Sequence, residues 1–469
     1  MVDPKSPGCS AAQCSANPSH GPPNLGALMA PLVQPRTLKG FRDYPPALMV
    51  PRERLLETAR TVFRSYGFAP IDTPALEYTE VLLAKVEEGA EVKKQMFRFE
   101  DQGGRDVALR FDLTVPLARF VSQHVNDLGL PFKRYHMAAV WRGESPQVGR
   151  YREFMQCDFD TIGSMSPAAD IEIALVIHDL LRALGIERFS VRVNDRRVLN
   201  GLLAELELPV EMATPVLRAL DKLLKIGADA VLAEMSTAGI SIDKAQAVLD
   251  LASIKGSNAE IISALKERFA TNETAMVGVN GLAQLVDVAK ASNIDDAHIA
   301  IDLSICRGLD YYTGTVYETF LDDLPTIGSI CSGGRYDDLT GRYTKQSLPG
   351  VGASLGLDRL LAALEQLDML GSTTTAPVLV TQFSSGRLAD YHRIARTIRT
   401  AGIGTEVYPD LKKLGNQLAY AEKKGCKIAI IAGDDEFTAG VWKVKNLAAR
   451  EETTCTEDEL VATVRAILG

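Results

Sequence analysis

Three consecutive stretches decide the fold: Phe132-Lys-Arg-Tyr-His-Met-Ala-Ala-Val-Trp-Arg-Gly-Glu144, Ser145-Pro-Gln-Val-Gly-Arg150 and Tyr151-Arg-Glu-Phe-Met-Gln-Cys-Asp-Phe-Asp160. The outer two read as strands and the middle one carries Pro146 and Gly149, so the whole predicts a long antiparallel hairpin. Alternation with a period of two puts Val140, Arg142 and Glu144 on one face. On the return strand it gathers Arg152, Phe154, Gln156, Asp158 and Asp160. A core strand does not ordinarily carry so many charges on one side. A ladder of salt bridges would account for them. A site for a charged, zwitterionic or phosphorylated ligand accounts for them better, because Arg grips phosphate bidentately and carboxylates receive ammonium groups.

Working outward, the same polarity recurs. Leu109-Arg-Phe-Asp-Leu-Thr-Val-Pro116 reads as a strand, with Leu109, Phe111, Leu113 and Val115 on one side and Arg110, Asp112 and Thr114 on the other. In Ile301-Asp-Leu-Ser-Ile-Cys-Arg-Gly-Leu-Asp-Tyr-Tyr-Thr-Gly-Thr-Val-Tyr-Glu318 a strand ends at Arg307-Gly308, and Tyr311 and Tyr312 precede the next strand. Gly333-Gly-Arg-Tyr-Asp-Asp338 reads as a loop with exposed polar groups. Gly350-Val-Gly-Ala-Ser-Leu-Gly-Leu-Asp-Arg359 places Arg359 in the first turn of a helix, where a cation beside the helix N-terminus makes an anion site.

Three familiar motifs do not hold. Gly352-Ala-Ser-Leu-Gly356 matches the hydrolase elbow G-x-S-x-G, but Gln346-Ser-Leu-Pro-Gly350 is a poor strand to precede it and His392 is the only later histidine. The same glycines do not form G-x-G-x-x-G, which disfavours a Rossmann cofactor. No G-x-x-x-x-G-K-[ST] occurs, so ATP, if bound, is not held by a P-loop.

The chain has 469 residues, about three domains at roughly 150 residues each. Its seven cysteines are an odd number with no C-x-x-C pair, against a disulfide scaffold or structural zinc and in favour of a reducing compartment. No apolar run approaches the roughly 20 residues of a membrane span. With 51 Lys+Arg against 60 Asp+Glu the net charge is −9, which taken whole points away from nucleic acid. Residues 376–450 differ, with 12 Lys+Arg against 7 acids, a local +5 that suits phosphate contact.

Residues 1–34, a Pro/Gly/Ser/Ala mixture, read as a disordered tail without the features of a signal peptide. Ser166 as N-cap, Pro167 and Gly185 frame a helix over 167–184. Residues 196–298 are helical in periodicity and read as an insertion between the core segments 35–195 and 299–370. Residues 371–376 read as a linker, and strands alternate with helices over 377–469, a small α/β domain.

Together these blocks resemble the class II aminoacyl-tRNA synthetases, specifically the histidyl-tRNA synthetase family, over residues 36–469. Lys39-Gly-Phe-Arg-Asp-Tyr-Pro45 resembles the family's opening, and residues 47–80, with Pro70 and Pro74, resemble motif 1, the dimerisation element. The hairpin resembles motif 2, Gly352–Arg359 resembles motif 3, and Arg307-Gly-Leu-Asp-Tyr-Tyr is similar to the histidine-specific signature. The resemblance implies an α+β fold: an antiparallel-sheet catalytic core with a helical insertion and a C-terminal α/β anticodon-binding domain. It implies a cytoplasmic homodimer, joined through motif 1, that uses ATP with Mg²⁺ to join L-histidine to tRNA(His) through histidyl-adenylate, with no membrane partner and no resident metal.

The resemblance also assigns residues. Asp112, Thr114 and Gln156 match the groups that hold the α-amino group, and Asp160, Tyr311 and Tyr312 match the imidazole readers. Arg142 matches the α-phosphate arginine, Glu144 the ATP-positioning acid, and Arg150 and Arg359 the β/γ-phosphate arginines. Arg307 matches a catalytic arginine that stands where other class II enzymes use a metal ion. The family often has Glu where Asp160 stands. A non-catalytic regulatory paralogue of the same core is the main rival. Such paralogues usually lack the C-terminal domain and degrade the signature, whereas this chain has both.

Overall fold

The computed structural model describes residues 33–84, 91–306, 312–338, 340–341, 343–344, 346 and 348–469. Of a first unit ending at Leu38, residues 33–38 are exposed and without regular structure. The expected tail otherwise lies outside the described residues, as do Arg307 and Tyr311.

From Lys39 onward the chain runs through helix α1 (Pro46–Ser65), strands β1 (Ala69–Pro70) and β2 (Leu76–Tyr78), and the short helices α2 (Thr79–Leu82) and α3 (Glu91–Gln95). Strands β3 (Arg98–Glu100) and β4 (Asp106–Leu109) precede α4 (Thr114–His124). Strands β5 (Phe132–Trp141) and β6 (Glu153–Ile162) form the predicted hairpin, with Arg134 opposite Asp160, His136 opposite Asp158 and Ala138 opposite Gln156. Helix α5 (Pro167–Ala183) and strand β7 (Phe189–Asp195) follow. The Ser166 hydroxyl accepts the Ala168 amide at 3.3 Å at the start of α5, the cap expected from sequence.

The segment expected to be helical is so: α6 (Arg196–Glu205), α7 (Ala213–Leu220), α8 (Leu223–Ile226), α9 (Ala228–Thr237), α10 (Ile242–Ala252), α11 (Asn258–Arg268) and α12 (Glu273–Ala291). Its apolar stripes continue the core of the sheet, with Val198, Leu202, Val279 and Leu282 in one buried cluster with Val191, Val193 and Phe189. Strands β8 (Ile299–Ile301), β9 (Thr315–Leu321), β10 (Cys331–Tyr336) and β11 (Gly350–Gly356) and helix α13 (Leu357–Gln366) complete this part. The eight-stranded sheet has the order β1-β5-β6-β11-β10-β9-β7-β8 and is antiparallel except at its two parallel edge pairs, β1/β5 and β7/β8. Phe63 of α1 packs 4.9 Å from Phe159 and closes one face with α5.

The C-terminal unit contains β12 (Val378–Val380), α14 (Leu388–Thr400), β13 (Thr405–Val407), α15 (Leu414–Lys424), β14 (Ile428–Ile431), α16 (Asp434–Ala439), β15 (Val441–Asn446), β16 (Glu451–Thr456) and α17 (Glu457–Leu468). Its sheet, β13-β12-β14-β15-β16, has parallel strands in the first three places and an antiparallel hairpin at the end. It buries its own cluster of Val378, Val380, Tyr391, Ile394, Ile428, Trp442 and Leu460.

Two sequence expectations are corrected. Residues 109–116 are not one strand: β4 ends at Leu109 and α4 begins at Thr114. The Asp112 carboxylate accepts the Val115 amide at 3.1 Å, and Pro116 sits in the first turn, where no amide is needed. Arg110 therefore turns away from Asp112, and its Nε donates to the Ala139 carbonyl at 3.0 Å. Residues 333–336 are not an exposed loop, for Arg335 and Tyr336 are only 2% and 3% exposed on β10. Arg335 is tolerated there because Asp170 of α5 faces its Nε at 3.0 Å. In helix α1 Pro51 lies inside the helix and forgoes one backbone hydrogen bond.

Candidate active site

The charged face of the β5–β6 hairpin opens into a cleft of about 600 Å³. It is lined by Asp112, Thr114, Arg142, Glu144, Arg150, Gln156, Asp158, Asp160 and Tyr312, with Tyr336, Gly352 and Ser354 opposite. An adjoining cleft of about 310 Å³ shares Arg142, Glu144 and Arg150 and adds Arg359. The structure thus brings together eight of the expected residues and puts Arg359 next door.

Each side chain is placed by its element. Asp112 and Thr114 sit at the start of α4, fixed by the Asp112–Val115 bond. Arg142, just past β5, donates through Nε to the Phe111 carbonyl at 2.9 Å and lies 5.2 Å from the Phe154 ring centre, with Nη1 3.8 Å from Glu144. Gly149, with φ +68°, lets the 145–150 turn pack on the start of α13; a Cβ there would lie 3.2 Å from the Arg359 backbone. That close approach sets Arg150 beside Arg359. Gln156 donates to Ser354 at 2.9 Å, and its carbonyl oxygen has no partner.

One end of the cleft holds a compact charge group. Arg134, fully buried, places Nη2 2.7 Å from Asp160 and 3.9 Å from Asp158. Tyr336 donates its hydroxyl to Asp160. Burial pushes Asp160 above the usual carboxylate range, against the pull of Arg134 and the Tyr336 bond. Asp158 is raised first by burial, and the neighbouring Asp160 adds to it. Asp112 is likewise raised by burial, opposed by the Val115 amide and by Arg142 and Arg134. Behind the cleft His136 hydrogen-bonds Asp72 at 2.9 Å, and burial lowers it to about 4, so it stays neutral.

Sequence reasoning does not single out Arg134, Tyr336 or Ser354. The register of the hairpin, with Arg134 directly opposite Asp160, is the signal that could have found Arg134. The loop-like composition of 333–338 hides Tyr336. Ser354 stands out in the sequence only as the centre of the hydrolase-like motif, yet it lies within β11 rather than at a strand-to-helix turn.

A mixed sheet that offers arginines at one end of a cleft, paired carboxylates at the other, and a separate α/β unit is the arrangement of a class II aminoacyl-tRNA synthetase. The family model described as histidyl-tRNA synthetase matches residues 40–360, and the anticodon binding domain model matches 378–467. A histidine–tRNA ligase of Rhodopirellula baltica is 57% identical over 90% of this chain and 95% of its own. One of Wolinella succinogenes is 47% identical over 92% and 98%. The crystal structure of histidyl-tRNA synthetase from Nostoc superposes with a TM-score of 0.85 at 33% identity, covering 93% of this chain and all of that one. The chain belongs to the histidyl-tRNA synthetase family.

Proposed function

We propose that the cleft joins histidine to ATP and passes the product to tRNA(His), with the residues in the following roles. Asp112, Thr114 and Gln156 hold the α-ammonium: a carboxylate and two neutral acceptors match three N–H donors. Asp160, Tyr311 and Tyr312 read the imidazole. A buried acceptor left unpaired by an amino acid without ring nitrogens penalises that amino acid. Arg142 and Arg307 face the α-phosphate, Arg150 and Arg359 the β- and γ-phosphates, and Glu144 positions the nucleotide.

The histidine carboxylate oxygen attacks the α-phosphorus in line. A new P–O bond forms, the bond to the β-phosphate bridging oxygen breaks, and pyrophosphate leaves, giving histidyl-adenylate. Fixed guanidinium groups stabilise the charge that develops on the α-phosphate, so catalysis is largely positioning and neutralisation. The 3′-hydroxyl of the terminal ribose of the tRNA then attacks the activated carbonyl, and AMP departs. Mg²⁺ enters as the counter-ion of ATP, carried on its phosphate oxygens. Among the described residues no three His, Cys, Asp or Glu side chains cluster as a metal cage.

The observation that carries this reading is the single cleft holding arginines at one end and the Asp112–Gln156–Asp160 set at the other. The C-terminal unit, absent from the usual regulatory paralogue, supports the catalytic reading and supplies the surface for the anticodon. Exposed Leu76, Tyr78 and Phe99, on the small β2-β4-β3 sheet beside the motif 1 segment, support a homodimer formed there. Among the described residues no helix is long and apolar enough to cross a membrane, and the free cysteines Cys157, Cys306, Cys331, Cys426 and Cys455 suit the cytoplasm. Histidine-dependent exchange of labelled pyrophosphate into ATP tests the assignment. Exchange with a different amino acid and none with histidine would refute it.

A further inference from the structure

A fully buried guanidinium is an odd choice for a sheet interior. Removing it from water is costly, and well-packed apolar side chains of similar volume commonly do the structural task at least as well. Arg134 nevertheless sits on β5 with zero exposure, and two of its nitrogens, Nε and Nη1, have no hydrogen-bond partner. Packing does not explain it; its partners do. Nη2 lies 2.7 Å from Asp160 Oδ2 as an ion pair, and it donates a hydrogen bond to the Leu113 carbonyl at 3.4 Å, within the turn between Asp112 and Thr114. One side chain thus touches both halves of the amino-acid end of the cleft. Asp158 lies 3.9 Å from the same nitrogen. Space for this arrangement is built in: a Cβ on Gly352 would lie 2.1 Å from Asp160 Oδ1.

We propose that Arg134 is a positioning residue that locks Asp160 and the Asp112–Thr114 turn in one fixed relation, so that the imidazole and the α-ammonium of histidine are read as a unit. The proposal rests on the reading of Asp160 as the imidazole acceptor. Arg134 does not touch the nucleotide end, so its effect falls on the amino acid and not on ATP.

The test is pyrophosphate exchange with Arg134→Leu, Arg134→Lys, Asp160→Asn and the double variant Arg134→Leu/Asp160→Asn, with KM for histidine and for ATP measured separately. Loss of a charge-assisted contact predicts about a 10- to 100-fold rise in histidine KM for Arg134→Leu, with ATP KM within about twofold of wild type. Arg134→Lys restores most of that loss. The double variant falls short of the sum of the two single losses, because Asp160→Asn already removes one of the two contacts that Arg134 makes. Parallel rises in both KM values, or an unchanged histidine KM, would overturn the proposal. If Arg134→Leu does not fold, as its melting curve would show, Arg134→Lys and the double variant, which leaves no unpaired Asp160 charge, carry the same comparison. Wild-type exchange with another amino acid would remove the functional reading instead, and the split between amino-acid and ATP KM would still report on Arg134.

Discussion

At the residue scale the cleft is a division between positive and negative ends. Arg142 is fixed by the Phe111 carbonyl and by Phe154, so in its proposed role it would meet a phosphate without reorganising. Arg142→Ala is expected to slow exchange by roughly 10²–10³, the usual cost of one preorganised donor, with little change in melting temperature. Arg307→Ala should slow it comparably, and near-normal exchange would contradict the role proposed for it. The negative end has a pH signature. Burial raises the Asp158 carboxyl, so the folded state prefers it protonated, and ionising it as pH rises costs stability. Asp158→Asn should therefore gain stability relative to wild type as pH rises from about 4 to about 7, by on the order of 1 kcal/mol, and the gap should level off above that, in thermal melts at each pH. A gap that narrows with rising pH would contradict the sign. Most of this site is legible from residue types alone, because Arg and Asp crowded onto one strand face seldom serve packing. Arg134 is not legible in that way. Its meaning lies in which carboxylate stands opposite, and that depends on a register set by the 142–152 connection.

At the element scale the hairpin is legible because alternation and a Pro/Gly turn agree over 29 residues, Phe132 to Asp160. The 109–116 segment misleads for a physical reason. Its apolar spacing fits a strand, yet the Asp112 carboxylate accepts the Val115 amide in the first turn of α4 and Pro116 suits that turn, and these local contacts win over the alternation. Strand β10 misleads because two glycines and charged neighbours resemble a loop. Its charge is instead neutralised across the fold by Asp170. Asp170→Ala should then destabilise by about 1–3 kcal/mol in denaturant titration, the cost of removing the main partner of a buried arginine that keeps Asp337, and more than a surface carboxylate would. Gly352→Ala tests the strand crossing. Its Cβ would collide with Asp160, so about 1–3 kcal/mol of stability should go together with histidine affinity. Loss of neither would mean that the strands relax freely.

At the scale of the whole molecule, the two largest buried clusters among the described residues lie in different parts of the chain. One unites the sheet, its flanking helices and the inserted helices; the other belongs to the C-terminal unit alone. The alternation of strands and helices over 377–469 is readable; within it α16 is started by Glu436, whose carboxylate accepts the Gly433 amide at 2.8 Å. The net −9 hides a +5 over residues 376–450, so bulk charge misdirects and segment charge does not. Affinity for tRNA should accordingly fall steeply between about 50 and 200 mM salt, while histidine KM hardly moves, as filter binding and exchange would show. The most direct test of the whole account is pyrophosphate exchange by the purified protein with each of the twenty amino acids in turn. Exchange that depends on histidine and on none of the other nineteen is the expected result. Exchange driven by another amino acid, or none with any, would contradict it.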